Sequence, residues 1–238
     1  MIKVKRALVT GASSGIGMAI CNRLLAQKFA VVGLSRRGMV DQLDDPNFSG
    51  YSIDLEDIDN LAKQLSPVID GKEFDCFVHC AGSGRFGSVE QFSVAQIDQS
   101  IRLNLTSALI LSRAIIPGFR RNKKGRVIFI GSESSLTAGK KGALYSAAKF
   151  GLRGFSQALR EDCAKDGIQV SLINPGMVRS PFFDSLSFRP GDLAENAISP
   201  DDVARVVTQI LESSTDIVFD EINLSPRVKS INFSKNDD

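Results

Sequence analysis

The 238-residue sequence carries one histidine and four cysteines. No two of the cysteines form a Cys-x-x-Cys pair, and Cys21, Cys76, Cys80 and Cys163 all fall inside periodic apolar segments. Both facts argue against a zinc site; no metal is expected, and the cysteines read as reduced, buried thiols of a cytoplasmic protein. The lone His79 ends an apolar strand, where a structural role outweighs a catalytic one. Charge excess is also missing: 29 basic against 27 acidic residues leave a net charge of +2. Nothing here calls for nucleic acid or another polyanion as partner. No run approaches the roughly 18 apolar residues of a membrane span. Met1–Arg6 leads straight into an apolar strand without a signal core, so neither membrane nor export is expected.

What is present is a regular alternation. Near-continuous apolar runs at Ala7–Thr10, Ala30–Ser35, Tyr51–Asp54, Asp75–His79, Arg126–Gly131, Gln169–Ile173 and Ile217–Asn223 predict strands covered on both faces. Helical patterns at Ile16–Gln27, Ile58–Val68, Ala95–Phe119, Leu144–Lys165 and Asp201–Glu212 separate them. The alternation predicts a single α/β domain over residues 1–238, a doubly wound parallel sheet of about seven strands with helices on both faces. Ligands of such a sheet bind beyond the carboxyl ends of its strands. Met177–Ser199 combines Pro181, Pro190 and Gly191 with Phe182, Phe183, Leu186 and Phe188, the mark of an apolar lid or a partner surface, and a substrate lid is the expectation. The polar tail Lys229–Asp238 is expected to fray.

Strand one runs into Thr10-Gly11-Ala12-Ser13-Ser14-Gly15-Ile16-Gly17 and a helix begins there. Gly11 suits a tight turn, Gly15 a close approach of backbone to a pyrophosphate, and Gly17 close packing of helix on strand. The helix N-terminus adds free N–H groups and positive potential. Strand two ends in Ser35-Arg36-Arg37, about 20 residues on, where NAD-binding chains place an acid against the ribose 2′-hydroxyl. Ser35 offers neither that clamp nor its repulsion. Arg36 can grip a 2′-phosphate and stack on adenine, and Arg37 adds attraction. The cofactor expected is NADP(H). Tyr145 and Lys149, four apart on a helical pattern, share one face. An ammonium beside a phenol favours the phenolate, so Lys149 is expected to lower the phenol pKa from its usual value of about 10.

The glycine loop, His79-Cys80-Ala81-Gly82, Asn104, Ser132, Tyr145-x-x-x-Lys149 and Asn174-Pro175-Gly176 occur in that order. The sequence from Lys5 to about Leu224 thereby resembles the short-chain dehydrogenase/reductase family, in its compact, NADP-preferring branch. The resemblance implies a Rossmann-type fold and a proton relay in which Tyr145 exchanges a proton with the substrate oxygen. Lys149 would bond the cofactor ribose. Ser132, thirteen residues before Tyr145, would hold the substrate oxygen. Asn104 would fix a water leading from Lys149 to solvent. It further implies cofactor contacts from Asp54 and Leu55 after strand three, from Cys80, Ala81 and Gly82, and from Pro175, Gly176, Val178 and Ser180. Three positions depart from the common family pattern: His79 and Cys80 stand where two asparagines are usual, Ser180 where a threonine is, and Glu221–Pro226 where many relatives have an Asp-Gly-Gly turn.

The activity expected is interconversion of a carbonyl and a secondary alcohol, that of a carbonyl reductase. The competing reading is a dinucleotide sensor or scaffold without catalysis, which loss of Tyr145 or Lys149 would have favoured. Phe86, Phe182 and Phe183 point to a small-molecule substrate with an apolar or aromatic body, and Arg85 or Arg189 is a candidate for meeting a carboxylate. Small residues Ala147, Ala148, Gly151, Gly154 and Ala158 after Tyr145, with the family's four-helix interface, imply a homodimer or homotetramer with two-fold symmetry.

Overall fold

The computed structural model describes residues 4–38 and 43–233. Residues 234–238 of the expected tail lie outside that range. Among the described residues, seven parallel strands form one sheet. They are β1 (Arg6–Thr10), β2 (Ala30–Ser35), β3 (Phe48–Ser52), β4 (Cys76–His79), β5 (Gly125–Ile130), β6 (Ile168–Pro175) and, after the short β7 (Phe188–Pro190), β8 (Glu221–Leu224). Their order is β3-β2-β1-β4-β5-β6-β8. Direction of winding reverses at β1, whose neighbours are β2 and β4, and the crevice beyond their carboxyl ends is the expected ligand position.

The central strands are Val-, Ile- and Leu-rich and buried on both faces. Two cores result. One lies under α2 (Ile58–Ile69), α4 (Ser107–Asn122) and α5 (Ala143–Cys163), around Phe77, Phe119 and Phe129. The other lies under α1 (Gly15–Ala26) and α6 (Pro200–Glu212), around Ile20, Leu24 and Val207. The remaining helix, α3 (Val94–Ile101), joins α4 through a π-helical turn at Arg102–Thr106.

Three expectations change. The single helix over Ala95–Phe119 is broken by that π turn. Asn104 Nδ2 donates to the Ser100 carbonyl at 2.9 Å, competing with the main-chain bond an α-helix would make there. The last sheet strand begins at Glu221, later than expected. Gln169 Nε2 donates to the carbonyls of Ser214, Thr215 and Ile217 and holds that stretch as a loop, with Ile217 left exposed. Finally, the tail is structured where it was expected to fray: β9 (Ile231–Phe233) pairs antiparallel with β7. Polar composition hid this, because the pairing is made by backbone and by the alternate residues Ile231 and Phe233.

The region 177–199 is closed at its neck. Ile198 N–H donates to the Met177 carbonyl at 2.8 Å and Arg179 N–H to the Ile198 carbonyl at 2.9 Å. Inside it are 3-10 turns at Pro181–Phe183 and Ala194–Asn196 and the strand β7. No helix among the described residues is long and apolar enough to cross a membrane. On α5, Ala147, Gly154 and Ala158 are exposed, whereas Ala148 is buried in its own subunit and a Cβ on Gly151 would strike Leu105 at 2.8 Å.

Candidate active site

The glycine loop has the geometry its spacing suggested. Gly11 adopts φ +67°, and a Cβ there would lie 3.0 Å from the Ala81 backbone. A Cβ on Gly17 would meet the Gly11 carbonyl oxygen at 2.2 Å. Neither site admits a side chain, so α1 can begin directly over the end of β1. A cavity of about 590 Å³ opens above the loop. It is lined by Gly11, Ser13, Ser14, Gly15, Ile16 and Gly17 from the loop, by Ser35, Arg36 and Arg37 from the end of β2, and by Leu55, Cys80, Ala81, Gly82 and Ser180. Asp54 is not part of the lining; it is exposed, and its carboxylate accepts from Glu56 N–H at 3.0 Å.

At the β2 end, Ser35 Oγ is buried without a hydrogen-bond partner. Arg36 is largely exposed and lies 3.5 Å from Glu56. Arg37 Nη2 donates to Ser13 Oγ at 3.2 Å, which brings a second guanidinium onto the glycine loop. An orphaned hydroxyl and two guanidiniums lining one cavity with the glycine loop are a donor set suited to a phosphate-bearing ligand.

Thr10 and His79 brace the floor. Thr10 Oγ1 accepts from the N–H groups of Cys80 and Ala81, both at 3.0 Å. Its proton is therefore free for His79 Nδ1, 3.1 Å away, which fixes the imidazole as the Nε2–H tautomer. Burial, and then the charge of Lys149, push the His79 pKa down to about 3, so the ring is neutral. It packs edge-on against Phe77 and Phe129. His79 thus ties β4 to β1.

A second cavity, of about 1000 Å³, adjoins the first; Ile16, Cys80, Gly82, Ser180 and Phe182 line both. Ser132, Tyr145, Lys149, Pro175, Gly176 and Val178 line the second. Tyr145 and Lys149 occupy the first turns of α5, a segment rich in the good helix formers Ala, Leu, Lys and Arg. Lys149 Nζ donates to the Ile130 carbonyl at 3.0 Å and lies 5.7 Å from the Tyr145 ring centre. Ser132 follows β5 and is pinned from three directions. Its N–H donates to Ser135 Oγ at 3.1 Å and to Asn174 Oδ1 at 3.3 Å, while its own Oγ accepts from Ser134 N–H. Asn174 in turn donates to Glu221 and Asn223 of β8. The Asn-Pro-Gly segment therefore positions Ser132.

Asn104 lines neither cavity. It stands behind Gly82, where a Cβ would meet Asn104 Oδ1 at 2.8 Å and Lys149 Nζ at 3.6 Å. Its Nδ2 donates to the carbonyls of Ser83 and Ser100, and its Oδ1 accepts from Ser83 N–H. Both amide N–H groups are thus committed to the 82–83 loop and the π turn. Gly82 is where the lysine and the asparagine converge.

The phenol differs from expectation. Burial pushes Tyr145 up to about 12; a hydrogen bond with Ser132 pulls it back, and Cys80 and Glu133 add to the rise. Lysine does not lower it, because the same burial acts on the ammonium and brings Lys149 down to about 8, partly opposed by Cys80. The Cys80 thiol is likewise raised by burial to about 12 and is no nucleophile.

Aromatic rings wall the second cavity. Phe86 and Phe182 lie 5.3 and 5.8 Å from the Tyr145 ring, and Phe183 stacks edge-on to Phe182. Sequence reasoning missed further lining residues, among them Phe188, Ile231 and Phe233 of the β7–β9 ribbon, Glu133 beside Ser132, and Lys140 and Lys141. The alternation of Ile231 and Phe233 was the available signal, masked by the polar residues around it. Arg85 and Arg189 are absent from the lining, and Arg189 is paired with Asp192. No group of three or more metal-ligating residues occurs among the described residues.

Comparison with known proteins gives a consistent answer. Residues 5–189 match the family model described as short chain dehydrogenase. A 3-oxoacyl-[acyl-carrier-protein] reductase of Buchnera aphidicola is 30% identical over 192 residues, covering 78% of this chain and 78% of that protein. An uncharacterized oxidoreductase of Staphylococcus epidermidis is 29% identical over 94% of this chain and 98% of its own length. Among solved structures, a metagenomic short-chain oxidoreductase in complex with NADP superposes with a TM-score of 0.76 at 28% identity, over 94% of this chain and 98% of that one. An alcohol dehydrogenase from Thermococcus sibiricus gives a TM-score of 0.82 at 24% identity, over 93% and 96% of the two chains.

Proposed function

The chain belongs to the short-chain dehydrogenase/reductase family of oxidoreductases, and on that premise we propose that it is an NADP(H)-dependent reductase of an apolar carbonyl compound. The observation that carries this reading is that the cavity holding the phenol adjoins the cavity over the glycine loop, the two sharing Ile16, Cys80, Gly82, Ser180 and Phe182. Tyr145, Ser132 and Lys149 stand where a loop built for a dinucleotide phosphate gives onto an aromatic chamber.

The residues at the first cavity fit the cofactor. Ser35, Arg36 and Arg37 would hold the 2′-phosphate, the glycine loop the pyrophosphate, and Lys149 the ribose nearest the reaction. The NADP bound by the metagenomic relative supports the choice. When bound, NADP(H) supplies or takes up the hydride. The protein's own contribution is to the proton and the geometry. Ser132, whose hydroxyl bonds with Tyr145 and accepts from Ser134 N–H, would exchange the first of these bonds for one donated to the substrate carbonyl oxygen, fixing its position. Tyr145, neutral at physiological pH, donates its proton to that oxygen. The protonated phenol is the state that reduction requires, which favours the reductive direction. Lys149, with a pKa of about 8, can share the charge that remains on the phenolate. Asn104 holds the 82–83 loop against Lys149 and so keeps the ammonium aimed at Tyr145.

Region 177–199 serves as the lid, its paired neck at 177–179 and 198 acting as the hinge, and closure excludes water. The exposed face of α5 at Ala147, Phe150, Gly154 and Ala158 suits packing on a second copy in a two-fold dimer or tetramer. A monomer by light scattering at micromolar concentration would contradict that assembly. The test of the activity is nicotinamide absorbance with NADPH and with NADH against a panel of aldehydes and ketones. NADPH-dependent loss of absorbance with an apolar carbonyl is expected. Tight NADPH binding without turnover of any carbonyl would leave a dinucleotide sensor in its place.

A further inference from the structure

The lining of the second cavity, the aromatic chamber, includes residues from the chain's C-terminal segment. Ile231 and Phe233 of β9 line the chamber together with Phe188 of β7. From the reactive phenol outward the rings form an unbroken series. Tyr145 lies 5.3 Å from Phe86, Phe86 lies 4.9 Å from Phe188, and Phe188 lies 6.5 Å from Phe233. Phe233 is 74% exposed in this series. A large ring held in water by a strand pairing, with one face on another ring, gains apolar contact only when something enters the chamber.

The strand is also held in place. Gly191 N–H donates to the Ser230 carbonyl at 2.9 Å and Val228 N–H to the Glu195 carbonyl at 3.0 Å. The buried Asn196 donates to the Val228 carbonyl at 3.1 Å. Lys229 Nζ reaches Glu133 Oε2 at 2.7 Å, next to Ser132. That ion pair is exposed and adds little stability. What it sets is position, since it spans from the C-terminal segment to the loop carrying Ser132, and it pairs the carboxylate next to that serine in sequence.

We propose that the C-terminal strand, through Ile231 and Phe233, is a wall of the substrate chamber and determines specificity, selecting carbonyl compounds with an aromatic or bulky apolar body over small ones. The inference rests on the carbonyl-reductase reading and deepens it. Bodies long enough to reach from Tyr145 past Phe86 meet Phe188 and Phe233; a short dicarbonyl does not.

The test uses 1-phenyl-1,2-propanedione and 2,3-butanedione, which share the reacting group and differ in body. Turnover is read from NADPH absorbance. Binding of the phenyl dione to protein saturated with NADP⁺ is read separately by ligand-observed NMR, so that affinity is measured whether or not reduction occurs. The variants are Phe233→Ala and a chain ending at Val228. The wild type is expected to favour the phenyl dione in kcat/KM. Both variants are expected to lower that preference at least fivefold, through KM, and to weaken phenyl dione binding similarly, with the NADPH dissociation constant unmoved. Three results overturn the inference: no preference or no binding of the phenyl dione by wild type; the same preference in both variants; or a parallel loss of NADPH affinity, which would mark a structural role. If neither dione is reduced but binding of the phenyl dione is lost in Phe233→Ala, the reductase reading fails while the wall stands.

Discussion

Replacing Tyr145 by Phe separates chemistry from structure because the two effects differ greatly in size. The side chain is 6% exposed and its ring packs on Phe86 and Phe182, contacts that phenylalanine keeps. The hydroxyl bonds with Ser132, whose Oγ remains satisfied by Ser134 N–H. Stability should therefore change by no more than the net value of one hydrogen bond, about 0.5–1.5 kcal/mol. In a domain of this size that is a Tm shift of a few degrees, at about 2–4 °C per kcal/mol. Loss of the proton donor should instead lower the rate about 10²–10⁴-fold, roughly 3–5 kcal/mol of barrier. Single-turnover reduction at saturating NADPH reads the chemical step without product release. The pH profile adds a second check. With the phenol near 12 and Lys149 near 8, the acid stays protonated across the neutral range. The alkaline fall in the wild-type reduction rate should then begin near pH 8, as Lys149 loses its charge. A Phe variant within a few-fold of wild type would refute the role of Tyr145, and an alkaline fall beginning only above pH 10 would refute that of Lys149.

Arg36→Ala should weaken NADPH binding about tenfold while leaving NADH nearly unaffected. The figure sits at the low end for charge-assisted bonds because Arg36 is largely exposed and Arg37 remains on the glycine loop; equal losses for the two cofactors in calorimetric titration would count against the assignment. His79→Asn should flatten the acid limb of stability. With a folded pKa of about 3 against 6.5 unfolded, the native state binds fewer protons below pH 6.5, so stability drains away as pH falls from 6.5 towards 3, by up to about 1.4 kcal/mol per pH unit; urea titrations of both proteins at pH 7 and pH 4.5 with the same pH sensitivity would contradict this. Hydrogen exchange in region 177–199 should slow when NADP⁺ and a substrate analogue are added together; exchange that is equally slow with and without them would rule out the lid.

The cofactor half of the site was legible in the sequence because its requirements are local. Gly17 is dictated by a main-chain clash within one strand–turn–helix unit, Gly11 takes a positive φ in the same turn, and Ser35-Arg36-Arg37 follows a single strand end. The spacing of Tyr145 and Lys149 is one helical turn. What was misread depends on the surroundings. An ammonium beside a phenol lowers its pKa in water, but both groups here share one dry wall, and desolvation raises the phenol and lowers the lysine together. Asn104 was legible as a position but not as a contact. Its bonds to Ser83 and Ser100 go with a π turn that the sequence pattern did not reveal.

The substrate half was illegible for a related reason. Its wall is assembled from segments about forty residues apart, β7 and β9, each three residues long. Such strands have too few positions for a period-two pattern to rise above chance, and their pairing is specified by backbone and by the tertiary partners Asn196 and Glu133. The aromatic residues Phe86, Phe182 and Phe183 were visible because they sit in glycine- and proline-rich loops next to motifs. Phe188 was read only as part of the lid, and Phe233 sits in a polar tail, although both belong to the same ring series. This division follows from what each half must do. A dinucleotide is one fixed molecule and is met by a fixed local motif. Under the reading proposed above, the substrate would instead be met by region 177–199 and by residues 228–233, where length and sequence can change without disturbing the sheet.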